Sequence, residues 1–331
     1  MTGRFRELLL RGTGGRIRDA LPLGSRPTVS VVIPCYNYGR YLPQCVYSVS
    51  RNQPGIELEI IIVDDASTDN SADVARQLAA EDDRIILIRH AANAGHIATY
   101  NDGLAAATGD YVLLLSADDL ATPGALTRAV ALFEAEPSVG LVYGRAVDFS
   151  GQPPSPRTVP SRWVVWNGVD WLRERCRVGF NVVASPEVMM RMSVLRGIGP
   201  YSSELPHAGD FEMWLRTACV SGVGFLLDVD QAFYRKHPQN MHRRQFAATT
   251  HRGQLIDLRQ RWQSFLSVFD GAGQNLVERD ALLAIARRTL RGQARDLVTY
   301  ARARGFRDFP YDDFDGFIRE LDGQLRRGAA G

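Results

Sequence analysis

Three apolar, strand-like runs in the first half of the chain are each followed at once by polar side chains. In chain order these groups are Pro34-Cys35-Tyr36-Asn37, the pair Asp64 and Asp65, and the pair Asp118 and Asp119. Ligands of an open α/β sheet bind beyond the carboxyl ends of its strands, so we expect all three groups at one crevice. Either acidic pair alone is also a common way to begin a helix. Two such pairs in one sheet are less easily explained as helix caps.

The chemistry that suits this crevice is the binding of a nucleoside diphosphate with a metal ion. Carboxylates alone would repel a diphosphate, whereas Mg²⁺ or Mn²⁺ binds one or two carboxylates together with phosphate oxygens. The ion also stabilises the negative charge that develops on a leaving diphosphate. Tyr36 is suited to stack on a base, and Asp64 or Asp65 to accept a hydrogen bond from a base N–H or a ribose hydroxyl.

The elements that must position these groups alternate between strand and helix. Apolar runs predict strands over residues 29–33, 58–63, 84–89, 111–115 and 140–147. Helical spacing predicts helices over residues 41–50, 71–80, 97–107 and 123–135. This alternation predicts an α/β fold in which helices flank a mostly parallel sheet on both sides. Residues 151–160 hold four prolines and must form a loop.

The second half of the chain has a mixed pattern followed by a helical one. We expect an amphipathic segment at 169–177, a strand near 188, a helix over 210–220, and strands at 225–229 and 232–235. Helices are predicted over 250–269, 276–291, 293–304 and 312–325. The predicted parts are therefore a basic lead-in (1–26), an α/β domain (27–240) with a donor half (27–148) and an acceptor half (149–240), and a helical C-terminal extension (241–331). The lead-in is expected to be a partly ordered tail rather than a membrane-surface anchor.

Five motifs, in this order and at this spacing, resemble the inverting family 2 glycosyltransferases of the GT-A fold. They lie in residues 29–37, 62–69, 93–95, 101–104 and 109–119. The resemblance implies that the nucleotide of a sugar donor is bound by Pro34, Tyr36, Asn37, Asp64, Asp65, Asn93, Gly95 and Asp118. It also implies that Asp118 and Asp119 hold Mn²⁺ or Mg²⁺. The family's D-x-D motif has Ser116 here in place of its first acid, which leaves the metal ligand set open.

The segment from Ala208 to Arg216 resembles the family segment in which an acid opens a helix ending in Trp-Leu-Arg. The resemblance places the general base on Asp210. A base there would take the proton of an acceptor hydroxyl and direct attack from the side opposite the diphosphate, with inversion. The alternative is that Asp210 caps the helix and that Glu212 is favoured in its first turn by the helix dipole.

Further site residues follow from the same resemblance. Glu212, Arg191 and Trp214 are candidates for the acceptor side. The segment around residues 234–240 resembles the family's closing loop, so His237 is a candidate metal ligand, with Arg235 and Lys236 as partners of the diphosphate.

Composition limits the partners and the compartment. The net charge of +2 gives no global electrostatic case for nucleic acid. The four cysteines have neither disulfide-framework nor zinc spacing, which is typical of a cytoplasmic protein. The family resemblance implies a UDP-sugar donor, with GDP- and dTDP-sugars as alternatives, and a sugar or lipid-linked sugar acceptor in bacterial surface polysaccharide synthesis. Peripheral contact with the inner membrane face and an oligomeric state are left open.

Two alternative functions remain beside a single-addition transferase. A processive polysaccharide synthase would carry Gln-x-x-Arg-Trp, but Leu258 stands where Gln is expected before Arg261 and Trp262. A non-catalytic protein that binds sugar nucleotides is favoured by Ser116, whereas the retained acids Asp118, Asp119 and Asp210 oppose it.

Overall fold

The computed structural model describes residues 12–160, 162–240 and 250–328, and side chains only as far as residue 323. The strands are β1 (Arg16–Asp19), β2 (Thr28–Cys35), β3 (Glu57–Asp64), β4 (Ile85–Arg89), β5 (Tyr111–Leu114), β6 (Leu120–Ala121), β7 (Val139–Tyr143), β8 (Ala146–Phe149), β9 (Arg162–Trp166), β10 (Met189–Arg191), β11 (Gly222–Leu226) and β12 (Ala232–Arg235). The helices are α1 (Leu42–Ser50), α2 (Ser71–Glu81), α3 (His96–Ala106), α4 (Ala125–Ala135), α5 (Gly168–Val178), α6 (Met192–Ile198), α7 (Gly209–Val220), α8 (His251–Asp270), α9 (Arg279–Arg304) and α10 (Tyr311–Gly328).

Within these residues a nine-stranded sheet has the order β1-β9-β11-β7-β10-β5-β2-β3-β4, and β6, β12 and β8 form a small second sheet. Strands β9 and β10 run against the other strands of the large sheet. In the parallel part, Cys35 of β2 pairs with Asp64 of β3, and Val32 pairs with Leu114 of β5. The polar groups that follow β2, β3 and β5 therefore leave the sheet at one edge. The predicted α/β fold with flanking helices is confirmed.

The central strands are buried on both faces because helices cover the sheet on each side. In β2, Val31 and Ile33 belong to one core cluster and Val32 to the other, and all three side chains are fully buried. This explains why the strands are continuously apolar rather than alternating. Gly103 lets α3 approach this sheet, since a Cβ there would lie 2.4 Å from Cγ1 of Val32.

The C-terminal helices share one of these two cores. Trp262 and Phe265 of α8, Leu290 of α9 and Phe314 of α10 are buried in the cluster that also contains Val32. The predicted helical extension is therefore packed onto the α/β domain. None of the helices in the described part of the chain is long and apolar enough to cross a membrane.

Several boundaries differ from the prediction. The single strand expected over 140–147 is two strands, because the chain leaves the large sheet at Gly144, packed on Gln231, and β8 pairs with β12. The helices expected on either side of Gly292 are one helix, α9. A helical glycine costs about 1 kcal/mol, and the burial of Leu290 and Ala294 on the same stripe outweighs it.

Three strands were not predicted. One of them, β6, has only two residues and pairs with β12. Strand β1 lies in the segment expected to be a tail and pairs with β9, which was itself obscured by the prolines before it. Residues 1–11, where a membrane anchor had been considered, lie outside the described residues.

Candidate active site

Asp118 and Asp119 are buried in the turn after β5, against the loop that follows β12. Oδ2 of Asp118 lies 2.9 Å from Nε2 of His237 and accepts a 3.3 Å hydrogen bond from Nδ2 of Asn240. Oδ1 of Asp119 accepts a 2.8 Å hydrogen bond from the backbone N–H of Arg235. Burial and the charge of Asp118 raise the pKa of Asp119 well above its usual range.

These residues fit a metal ion that is shared with a ligand. Among the described residues, no three His, Cys, Asp or Glu side chains are grouped to hold a metal without help. However, Oδ2 of Asp118 and Nε2 of His237 lie 2.9 Å apart, and a carboxylate oxygen and a neutral imidazole nitrogen are both common metal ligands. Mg²⁺ usually takes one or two protein ligands and completes its shell with phosphate oxygens and water. A cation would also offset the repulsion that raises the pKa of Asp119.

The loop after β2 is fixed to the loop after β3 by Asn37. This residue has a positive φ of 60°, and its Oδ1 accepts hydrogen bonds from the backbone N–H groups of Thr68 at 2.8 Å and Asp69 at 3.2 Å. Asn37 thus shapes the loop, while the neighbouring Tyr36 is 45% exposed and its ring is free to stack. Pro34 stands beyond the last residue of β2 that pairs with β5, so its missing N–H costs no ladder bond.

Asp65 holds the loop that leads into α3. Its Oδ1 accepts a 2.7 Å hydrogen bond from the N–H of Ala94, and its Oδ2 accepts a 3.0 Å bond from the N–H of Gly95. Burial alone would raise the pKa of Asp65, but these bonds and His90 lower it below its usual value. Asn93 donates to the backbone carbonyl of Asp65 at 3.3 Å, and Gly95 has a φ of 85° that favours glycine.

Asp64 is the acid of this pair that keeps an unused acceptor. It is fully buried, and its Oδ2 lies 3.3 Å from Nε of Arg89. Its Oδ1 is buried without a hydrogen-bond partner among the described residues. Such an atom costs free energy unless a ligand supplies a donor.

Asp210 lies in the first turn of α7 and lines a cavity of about 850 Å³. Its Oδ1 is buried without a hydrogen-bond partner in the described chain. Burial raises the pKa of Asp210, and the nearby hydroxyls of Tyr201 and Ser185 only partly offset this. The carboxylate is therefore a stronger base than an ordinary aspartate and has an oxygen available for a proton.

The three predicted acids Asp118, Asp119 and Asp210 all act electrostatically on the same two tyrosines. Burial and the charges of these acids raise the pKa of Tyr100, and the same acids contribute to raising the pKa of Tyr234 to about 12. Tyr100 and Tyr234 thus lie within electrostatic reach of Asp118, Asp119 and Asp210. Neither tyrosine was predicted as a site residue, because a tyrosine in a helix or strand carries no motif of its own.

The three acceptor-side candidates lie elsewhere, and this prediction has to be corrected. Arg191 binds the backbone carbonyls of Phe133 and Val139 and the Tyr111 hydroxyl, at the end of β5 opposite Asp118. Trp214 is 2% exposed within the core. Glu212 is buried, and its Oε2 lies 2.9 Å from Nη2 of Arg216. The side chains of all three residues contact other parts of the protein interior and not a binding surface.

The loop after β12 also differs in part from expectation. His237 lies beside Asp118, and its role as a metal ligand stays a prediction. Arg235, however, is buried and bound internally, with Nε donating to the carbonyl of Asp118 at 2.7 Å and Nη2 to Gln44 at 2.6 Å. Arg235 therefore supports the acidic turn, and only Lys236 remains open to a ligand, 3.4 Å from the exposed Asp148.

Comparison with known proteins agrees with this geometry. The model of the family described as Glycosyl transferase family 2 matches residues 30–195. An uncharacterised glycosyltransferase of Nostoc is 44% identical over 115 residues, which are 35% of this chain and 35% of the relative. The O-antigen biosynthesis protein RfbC of Myxococcus xanthus is 30% identical over 206 residues, 56% of this chain and 16% of the relative. The matched part thus spans well under two thirds of the length of these relatives.

Two solved structures share the architecture. TarS of S. aureus in complex with UDP-GlcNAc has a TM-score of 0.57 and 18% identity, covering 91% of this chain and 92% of that chain. The mannosyltransferase PcManGT of Pyrobaculum calidifontis in complex with GDP-Man and Mn²⁺ has a TM-score of 0.56 and 18% identity, covering 96% and 92%. At these identities the likeness shows the GT-A fold alone. The family match over half of the chain, together with this fold, shows that the chain belongs to glycosyl transferase family 2.

Proposed function

We propose that this protein transfers one sugar at a time from a nucleotide diphosphate sugar to an acceptor hydroxyl, with inversion at the anomeric carbon. The observation that carries the proposal is the position of Asp210. Asp210 lines a large cavity, its pKa is raised, and its Oδ1 has no hydrogen-bond partner among the described residues. Its charge raises the pKa of Tyr100, as the charges of Asp118 and Asp119 do. A proton acceptor therefore faces the place where a diphosphate would be held.

The donor half binds the nucleotide. Oδ1 of Asp64 is placed to accept a hydrogen bond from the base or ribose, and the exposed ring of Tyr36 is free to stack on the base. Asp65, Asn37 and Gly95 hold the two surrounding loops in shape. Asp118 and His237 are the residues that would hold Mn²⁺ or Mg²⁺, with Asp119 beside them. When bound, the ion offsets the charge of the leaving diphosphate.

Asp210 performs the proton transfer. The acceptor O–H proton passes to the Asp210 carboxylate as the acceptor oxygen forms a bond to the anomeric carbon and the bond from that carbon to the diphosphate breaks. In this proposal the sugar is held between Asp210 on one side and Asp118 and Asp119 on the side of the diphosphate. Attack then comes from the side opposite the leaving group, which inverts the configuration. The raised pKa of Asp210 brings it nearer to the operating pH, as general base catalysis favours.

Several observations support the finer parts of this proposal. The solved structures with the same fold hold UDP-GlcNAc and GDP-Man, so a UDP-sugar is the first donor to test, followed by GDP- and dTDP-sugars. Single addition is supported by Arg261 and Trp262, which lie in α8, where Trp262 is buried in the core and Nη1 of Arg261 donates to the carbonyl of Gly179. The relative RfbC supports a role in surface polysaccharide synthesis. The four unpaired cysteines support a cytoplasmic location.

The test is a thermal-shift screen of nucleotide sugars with Mn²⁺, followed by assays of donor hydrolysis and transfer. A bound donor should raise Tm by mass action, and the donor that does so should be hydrolysed in a metal-dependent way. Binding without hydrolysis or transfer to any acceptor would favour the alternative of a non-catalytic nucleotide-sugar-binding protein, which the departure at Ser116 keeps open. No Tm shift with any nucleotide sugar contradicts the proposal.

A further inference from the structure

The cavity that Asp210 lines extends well beyond this carboxylate. Its volume of about 850 Å³ lies near the upper end of the range typical of small-molecule sites. Part of its wall is formed by α5, through Trp171 and Arg175, and another part by Val182 and Val183 of the following loop. Asp118 and Asp119 do not line this cavity. The cavity therefore has the position of an acceptor site rather than a donor site.

Arg175 is the unusual member of this wall. The Nε and Nη1 atoms of its guanidinium are buried, and neither has a hydrogen-bond partner among the described residues. The guanidinium carbon lies 5.1 Å from the ring centroid of Trp171, so the aromatic ring holds the group in place. Burial lowers the pKa of Arg175 below its usual value. A partly buried guanidinium with two nitrogens that lack hydrogen bonds costs free energy, which a bound anion would recover.

The other cations of the cavity already have counter-ions. Nζ of Lys236 lies 3.4 Å from Oδ1 of Asp148, and Nη1 of Arg145 lies 3.6 Å from Oδ1 of Asp230. Arg175 has no such ion pair with any described residue. It is therefore the cation of this cavity that lacks a partner.

The acids nearest to Arg175 do not neutralise it. Glu174, its neighbour on α5, makes its ion pair with Arg177, and its charge offsets the burial of Arg175 only in part. Burial raises the pKa of Glu187 to about 8, so this cavity acid is mostly protonated at neutral pH. Asp210 is the remaining acid, and in the proposed function it is engaged with the acceptor hydroxyl. The wall around Arg175 thus favours an additional negative charge.

We propose that Arg175 binds an anionic group of the acceptor, a phosphate or a carboxylate, while the hydroxyl to be glycosylated lies at Asp210. The planar guanidinium matches the geometry of both anions. The acceptor class is then a phosphorylated or uronic-acid-containing glycan rather than a neutral sugar. This inference rests on the proposed function for the role of Asp210, but the anion site itself can be tested without turnover.

The binding test uses the full chain saturated with UDP and Mn²⁺, so that the diphosphate site is filled. Glycerol 1-phosphate and glucuronate are the anionic probes, glycerol and glucose their neutral counterparts, and binding is followed by ligand-observed NMR. We expect an anionic probe to bind the wild type and to lose at least about tenfold in affinity in Arg175→Met, which is 1.4 kcal/mol or more. Arg173→Met, on the same helix but paired with Asp170 and outside the cavity lining, should keep the binding. The anion that binds more tightly identifies phosphate or carboxylate as the group recognised.

Thermal unfolding gives a second, independent measurement. Without probe, Arg175→Met should have a higher Tm than the wild type, because it removes an unpaired buried charge and keeps much of the apolar stem. The anionic probe should raise the Tm of the wild type and leave that of Arg175→Met unchanged. Unchanged UDP affinity in the variant shows that the donor site is intact.

Three results separate this inference from the proposed function. Equal probe affinity in Arg175→Met and wild type, or loss of probe binding once UDP is present, overturns the anion site even if the protein hydrolyses its donor. Binding that depends on Arg175 in a protein that hydrolyses no nucleotide sugar supports the anion site and contradicts the proposed function. A Tm of Arg175→Met below that of the wild type, with unchanged probe binding, shows that Arg175 serves packing alone.

Discussion

The side chains of Asp118 and His237, 119 residues apart in the chain, meet with Oδ2 and Nε2 at 2.9 Å. The contact closes the loop after β12 over the acidic turn after β5, and the His237 ring lies 5.0 Å from that of Tyr41. This contact joins the acceptor half of the α/β domain to its donor half. With Ser116 in place of the first acid of the family's motif, Asp118 and His237 are the two residues that would hold a metal ion in the proposed function.

We predict that nucleotide binding depends on a divalent cation at this pair. Calorimetry with UDP should show the affinity falling by at least about tenfold, or 1.4 kcal/mol, in EDTA and in Asp118→Ala. His237→Gln should show a smaller loss, because it keeps the size of the side chain while removing the imidazole donor. Asp73→Asn, an exposed acid on α2, is the control and should bind normally. Unchanged affinity in EDTA and in Asp118→Ala would remove the metal from the mechanism.

We predict that Asp64 and Asp65 affect the nucleoside in different ways. Asp65→Ala should weaken UDP and UDP-sugar alike and also lower the free energy of unfolding by about 1–3 kcal/mol, because the N–H groups of Ala94 and Gly95 lose their acceptor. Asp64→Ala should weaken both ligands but leave this loop intact. Calorimetry and urea denaturation separate the two effects. If a variant bound UDP normally but UDP-sugar weakly, the carboxylate that it lacks would contact the sugar rather than the nucleoside.

The raised pKa of Glu187 predicts that the stability of the protein depends on pH. Its pKa in the fold is raised by burial to about 8 from an ordinary 4.5, so the folded state retains a proton that the unfolded chain loses. This contribution to stability is fully present below pH 4.5 and is lost as the pH rises through 8. Between these values it lowers the free energy of unfolding by about 1.4 kcal/mol per pH unit.

Urea denaturation between pH 5.5 and 7.5 measures this slope. Glu187→Gln should flatten the dependence, because the amide does not titrate, and should be more stable than the wild type at pH 7.5. Glu204→Gln, at an exposed position, should leave the slope as it is. Parallel slopes for the wild type and Glu187→Gln would mean that Glu187 is ionised in the folded protein.

The sequence predicted the parts of the site that depend on strand ends and missed those that depend on packing. Asp64 and Asp118 follow strongly apolar strands, so their edge of the sheet was evident from the chain alone. Arg191 and Trp214 were misplaced because the motif gives a residue's neighbours in sequence but not the direction of its side chain. No motif in the sequence points to Arg175. Only the packing of α5 shows that two nitrogens of its guanidinium lack a hydrogen-bond partner among the described residues.

The same limit applies to the fold. The alternation of residues 28–135 predicted each central strand to within two residues. The outer strands β1 and β9 are paired across about 145 residues, and β1, with one apolar residue in four, does not indicate that pairing. A continuous α9 was missed because the cost of Gly292 is visible in the sequence while the compensating burial of Leu290 is not.

The last prediction concerns Asp210 as the general base. Asp210→Asn keeps the size of the side chain and removes its ability to take a proton, so we expect a folded protein with near-normal UDP affinity and a transfer rate lower by about 10²–10⁴-fold. The wild-type rate should fall with decreasing pH at a higher pH than an ordinary aspartate would give, because burial raises the pKa of this carboxylate and only its ionised form accepts the proton. Glu212→Gln is the matched control on the same helix: its carboxylate is paired with Arg216, so the change should lower stability more than the transfer rate of the folded protein. If Glu212→Gln abolished transfer while Asp210→Asn retained it, the base would be Glu212, and if neither changed the rate, the single-base inverting mechanism would fail for this protein.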